Sequence, residues 1–176
     1  IIRGPRASLY GSEAIGSVIQ IFTRKGGTGF EPHLRSGAGS HSLRGASAGF
    51  SNRGERCWIS AEGAYQETDG FKACRGSEAL FQGCFADEPD LDGYRNLSLS
   101  LRGGVEVGDT LDVEAHFLNA DNDNEYDGSQ FGGNETSNTQ RVLGGKLAWS
   151  PGTRVKVTAQ AGRAIDKYHA YFREAG

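Results

Sequence analysis

The stretch Tyr94 to Val107 constrains the fold of this chain more than any other. Leu97, Leu99, Leu101, Val105 and Val107 fall on alternate positions, with Asn96, Ser98, Ser100, Arg102 and Glu106 between them. A period of two residues is the signature of a β-strand with one apolar and one polar face. The same period recurs along the chain. Leu111, Val113, Ala115 and Phe117 oppose Asp112, Glu114 and His116, and Val155, Val157, Ala159 and Ala161 oppose Lys156, Thr158 and Gln160. Cys57, Ile59, Ala61, Gly63 and Tyr65 likewise oppose Trp58, Ser60, Glu62 and Gln66. The pattern predicts about seven strands, near residues 30–38, 43–51, 56–66, 94–107, 111–119, 140–150 and 154–166.

Two features point away from a soluble fold. The predicted strands are long, whereas strands of soluble proteins average about five or six residues. The connections also alternate: short turns are expected at 52–55, 108–109 and 151–153, and long loops at about 67–93 and 120–139. Outer-membrane β-barrels combine short periplasmic turns with longer external loops. Parity then places the connection at about 39–42 outside as well. Phe50, Trp149 and Tyr65 fall near strand ends, where an aromatic girdle belongs. The alternative is a soluble β-sandwich binding module, which also alternates but needs a second sheet over its apolar face.

The mean hydropathy is negative, which is consistent with a barrel because every second residue of a barrel strand faces a polar lumen. No apolar run is long enough for a membrane helix. The charges of both signs are scattered, with a net charge of −3, so no nucleic-acid surface is expected. The chain begins inside an apolar strand without Met or a signal peptide, and is expected to be part of a longer precursor.

Residues 1–25 read as a strand, a turn and a strand. Arg3-Gly4-Pro5 interrupts the first strand, Tyr10-Gly11-Ser12 makes the turn, and Gly16 admits the strand from Val18 to Thr23. This string closely resembles the end of the plug domain of TonB-dependent outer-membrane transporters, and within them the vitamin B12 (cobalamin) group; Ser17 stands where the family often has a second glycine. The resemblance implies an all-β transmembrane protein. Residues 1–25 would be the C-terminal part of the plug, 26–29 a linker, and 30–176 the N-terminal part of a barrel of about 22 strands. It also implies a bacterial outer-membrane location, energised uptake of cobalamin and a TonB contact through a segment preceding Ile1. Uptake of a ferric siderophore or haem is the alternative within the family.

No catalytic constellation is expected. His33, His41, His116 and His169 are scattered, and Gly26-Gly27-Thr28-Gly29 lacks the Lys-Ser/Thr of a phosphate loop. The external connections concentrate acid, in Asp87 to Gly93 and in Asp121 to Asp127. All-oxygen sets of this kind suit Ca²⁺, although Tyr126 stands where an EF-hand loop needs glycine. Asp90-Leu91-Asp92-Gly93-Tyr94 and Asn124-Glu125-Tyr126-Asp127 resemble the calcium-binding loop segments of cobalamin transporters. The implied ligands are Asp90, Asp92 and Asp127, with Asn138 where a further acidic ligand can occur and Lys72 where another aspartate would stand. In an oxidising compartment Cys74 and Cys84 are expected to pair and close a short loop, contributing about 3 kcal/mol. Cys57 is expected to be a small apolar filler.

Overall fold

The structure, a computed structural model, describes residues 2–3, 17–18, 27–72, 90–129 and 133–173. Two short strands, β1 (Ile2–Arg3) and β2 (Ser17–Val18), pair antiparallel. Seven longer strands follow: β3 (Gly29–Ala38), β4 (Arg44–Arg53), β5 (Cys57–Phe71), β6 (Asp92–Val107), β7 (Leu111–Ser129), β8 (Gly133–Trp149) and β9 (Val157–Tyr171). They form one open sheet in chain order, and every neighbouring pair is antiparallel. The second sheet that a sandwich would need is not found among the described residues. Cys74, Cys84, Gly4, Pro5, Tyr10, Gly11, Ser12 and Gly16 lie outside the described residues.

Register places the apolar residues of neighbouring strands side by side. Tyr65 pairs with Leu97, Ala61 with Leu101, Leu101 with Phe117, Phe117 with Leu143, and Leu111 with Trp149. A slip of one residue would move every one of them to the polar face. This apolar face is exposed: Leu97, Leu99, Leu101, Val105, Leu143 and Trp149 are each at least 40% accessible. The free thiol of Cys57 is exposed on it too, so this cysteine fills no interior space. Along β6 the apolar run from Leu97 to Val107 has a contour of about 33 Å at about 3.3 Å per residue. A strand tilted by about 40° converts that to a band about 25 Å tall, the height of the lipid-facing band of outer-membrane barrels. The opposite face is polar and more shielded, and hollows open on it. One of about 500 Å³ spans β3 to β6, and its lining includes Arg35, Ser47, Gln66 and Asn96.

The ends of the sheet differ. At one end, turns join Arg53 to Cys57, Val107 to Leu111 and Trp149 to Val157. The other end carries the hairpins, and here the structure corrects the expected loops. Residues 120–139, expected as a loop, instead form the paired upper parts of β7 and β8, which continue to Ser129 and begin at Gly133. Asp121, Asp123 and Glu125 occupy one face there, and Asn122 and Asn124 the other, so the two-residue period persists with carboxylates and amides in place of apolar and polar residues. The loop expected at 67–93 is shortened in the same way, because β5 runs to Phe71 and β6 starts at Asp92.

The first hairpin turns tightly at Ser40–Leu43, where the Leu43 N–H donates to the Ser40 carbonyl. His41 and Ser42 both have positive φ, 57° and 55°, which is the geometry of a type I′ turn. The turn is tied to β5: the Asp69 N–H and the Thr68 hydroxyl both donate to the His41 carbonyl. The Thr68 hydroxyl also accepts from the Gly70 N–H at an irregularity in the β5–β6 ladder. Gly70 has φ +69°, and a Cβ on it would lie 1.7 Å from the Asp92 carbonyl oxygen. Gly70→Ala is therefore expected to cost about 3 kcal/mol, through backbone strain and the displaced strand. Equilibrium denaturation of the whole protein reads this, and an unchanged midpoint would show that the junction is not held closed.

Candidate functional site

The polar face builds its surface by laying rings over glycines of the next strand. The indole of Trp58 on β5 covers Gly104 of β6, where a Cβ would come within 2.5 Å of Nε1. Trp58 is 8% exposed, one of only two buried apolar residues among those described. The Arg102 guanidinium sits 5.6 Å from its ring centroid, within cation–π range. The His116 imidazole covers Gly144 in the same manner, and His33 covers Gly49 while its Nε2 lies 3.6 Å from Glu62. Between Trp58 and β9 lies a hollow of about 460 Å³, lined by Arg102, Glu114, His116, Lys146 and Gln160 among others. This wall offers cations, carboxylates, imidazole and an aromatic face to a hydrophilic occupant. The sequence reading placed His116 on the polar face but missed the cluster. Its only sign in the sequence is a glycine on each neighbouring strand, and the pairing of glycine with ring becomes visible only once the register is known.

The hairpin end is held by polar pairs above the apolar band. The Arg44 and Tyr65 side chains both donate to Glu67, so the Tyr65 ring lies on the apolar face with its hydroxyl in the polar rim. Arg95 donates twice to Asp123 Oδ2, at 2.6 and 3.2 Å. The Gly93 N–H donates to Glu125. Asn134, 7% exposed, exchanges two 2.8 Å hydrogen bonds with the backbone of Arg173 and so closes the ladder beyond Tyr171. At the opposite end, Phe30 and Phe50 pack with centroids 5.7 Å apart.

The Arg95 side chain holds the Asp123 carboxyl below the usual carboxylate range, against the opposing effect of partial burial. Because the folded value is depressed, the pair stabilises the hairpin above the ordinary carboxylate pKa of about 3.9, and the contribution is lost as pH falls through the folded value. Amide protection factors in the upper β6–β7 hairpin, each taken against the intrinsic exchange rate at the same pH, should fall as the pH drops below the ordinary carboxylate range. Asp123→Asn should remove that fall, and a fall that persists in the variant would assign it to another group.

The calcium candidates are only partly gathered. Tyr94 pairs with Asn124, so Asp92 comes to the same corner as the stretch of β7 that contains Asp127, and exposed Asp90 precedes β6 there. Asn138 is elsewhere: it pairs with Asn122, about 17 Å along β7 from Asp127 at about 3.4 Å per residue. Lys72 follows the end of β5. Among the described residues no three His, Cys, Asp or Glu side chains stand close enough to hold one metal ion. Asp92 and the Asp127 stretch thus share one corner with Asp90, and Asn138 lies apart from it.

A single antiparallel sheet with an exposed apolar band on one face and a polar wall on the other is compatible with a segment of a β-barrel wall. No helix of the described residues is long and apolar enough to cross a membrane, which says nothing of strands. No family model matches the chain. A curated protein, the vitamin B12 transporter BtuB of Photobacterium profundum, is 31% identical over an alignment of 182 positions, gaps included, which takes in 99% of this chain and 25% of that protein. The chain thus spans about a quarter of the length of the curated relative it matches. The likeness to the vitamin B12 transporter group, read first from residues 1–25 and the acidic segments, extends over essentially the whole chain.

Proposed function

We propose that this chain is part of a TonB-dependent transporter of the bacterial outer membrane and that the whole protein takes up cobalamin. The observation that carries the reading is the band of exposed leucine, valine and aromatic side chains on one face of a sheet whose other face is polar. Such an arrangement is favourable where lipid covers the first face and a hydrophilic interior the second. In this reading residues 1–25 close the plug, the hairpin ends face outward, and the Trp58–Arg102–His116 wall faces the lumen. TonB would act through a segment outside this chain.

Calcium belongs to the proposal as an ordering ion at the corner of Asp90, Asp92 and Asp127, with further oxygens supplied by other loops of the whole protein; Asn138 is too far along its strand to join them. Reducing loop entropy before binding would raise substrate affinity.

Cells producing the whole protein should accumulate labelled cobalamin only when TonB is present, and binding should tighten with Ca²⁺ and lose that response in Asp92→Asn. Uptake of a ferric siderophore or haem in place of cobalamin would overturn the substrate. Accumulation independent of TonB would overturn the mechanism, and calcium-independent affinity the ion.

A further inference from the structure

On the hairpin half of the sheet, charge is sorted by face. Along β7, Asp121, Asp123 and Glu125 stand on the face that continues the apolar band, and Asn122 and Asn124 stand on the polar face. The neighbouring strands repeat the division, with Glu67 and Arg95 on the first face and Gln66 and Asn96 on the second. Register then joins the carboxamides. Gln66 pairs with Asn96, Asn96 with Asn122, and Asn122 with Asn138. Four carboxamide side chains on four successive strands therefore make one row, which spans about 14 Å at about 4.8 Å per strand.

The rows on either side of it are also uncharged on these strands. Toward the hairpin tips stand Thr68, Tyr94, Asn124 and Thr136, in register with one another. Toward the turns stand Ala64, Ser98, Ala120 and Gln140. Most of this lower row is small, and the hollow of about 500 Å³ reaches over it to Gln66 and Asn96. The neutrality is local, because nearer the turns the same face carries Glu62, Arg102, Glu114 and Lys146.

The sheet leaves much of the row's hydrogen-bonding capacity unused. Asn122 Oδ1 accepts a long 3.4 Å bond from Asn124. Gln66 and Asn96 make no side-chain hydrogen bond among the described residues. The Asn138 oxygen is buried without a hydrogen-bond partner. A buried acceptor left so costs free energy, and turning that amide toward a ligand N–H would recover it.

We infer that Gln66, Asn96, Asn122 and Asn138 form a ledge that hydrogen-bonds the peripheral carboxamides of the transported molecule and selects it over anionic competitors. A carboxamide carries donors and an acceptor, so it matches another carboxamide in either orientation. A carboxylate set on the row would lose hydration with no cation in the row to replace it. The corrin periphery of cobalamin presents primary carboxamides, and the inference rests on the cobalamin reading.

The test measures binding to the whole protein in detergent micelles by isothermal titration calorimetry. The probes are cyanocobalamin, cobinamide (which keeps the carboxamides and lacks the nucleotide), and cyanocobalamin monocarboxylates, each with one peripheral carboxamide hydrolysed. Asn96→Ala and Asn122→Ala should each weaken cyanocobalamin about fivefold, the worth of one hydrogen bond, and weaken cobinamide equally. Lys167→Gln, on the opposite face, should change neither. Asn122→Lys should shift the preference between cyanocobalamin and at least one monocarboxylate about tenfold toward the acid, a ratio that does not depend on the folded fraction. Unchanged ratios for every monocarboxylate, or a loss seen with cyanocobalamin and absent with cobinamide, overturn the ledge alone. A parent protein that does not bind cyanocobalamin overturns the cobalamin reading and the ledge together.

Discussion

Leu101→Arg should weaken the membrane-inserted protein by about 2–4 kcal/mol, the cost of a cation at the midplane of a barrel's lipid face. Leu101 sits near the middle of the apolar run of β6, between Ala61 and Phe117 on the neighbouring strands, and is 40% exposed. An arginine there would have lipid on one side and aliphatic neighbours on the others. Ser100→Arg, one residue away, should cost little, because Ser100 pairs with Glu62 and Leu118 on the polar face. Denaturant unfolding of the whole protein in phosphatidylcholine vesicles gives both values. Equal losses for the two variants would show that the faces are not differently solvated, and the barrel reading would fail.

The second large effect concerns residues 1–176 produced alone. In the described structure β3 and β9 are the edges of the sheet, and each presents a row of unpaired N–H and C=O groups. In lipid each such group costs several kcal/mol; in water, exposed edges recruit other chains. The apolar face adds Leu34, Leu97, Leu99, Leu143 and Trp149 to the exposed surface. On the other side only Trp58 and Ala148 are buried apolar residues, and no side chain among those described is fully buried. With so few apolar side chains buried among the described residues, there is little there to offset the conformational entropy lost on ordering the strands. The isolated chain should aggregate in detergent-free buffer. Sedimentation velocity is the measurement, with hydrogen exchange on the same sample. A monodisperse monomer with protected amides in β3 and β9 would restore the soluble alternative.

Much of this architecture was legible in the residues. Alternation assigns each side chain to a face from its own strand alone, so Leu97, Leu99 and Leu101 could be placed opposite Ser98 and Ser100 before any pairing was known. Gly108-Asp109 and Pro151-Gly152 marked turns through their backbone preferences. The tall β7–β8 hairpin was misread because Asp and Asn are common in loops and no apolar residue marked the period. What holds them in strands is the ladder itself, with cross-strand pairs such as Arg95 with Asp123.

By itself, then, the sequence determined the strands' faces, their order and the short turns at one end, because these depend on local geometry and a two-residue period. Only the tertiary structure decided what depends on register. Pairing Asn122 with Asn138 separates Asn138 from Asp127, and the same register sets Gln66, Asn96, Asn122 and Asn138 in one row. Pairing Trp58 with Gly104 gives an indole room to lie flat. Residues far apart in the chain meet only when hydrogen-bonded ladders align them, and a period of two is the same in every register that differs by two residues.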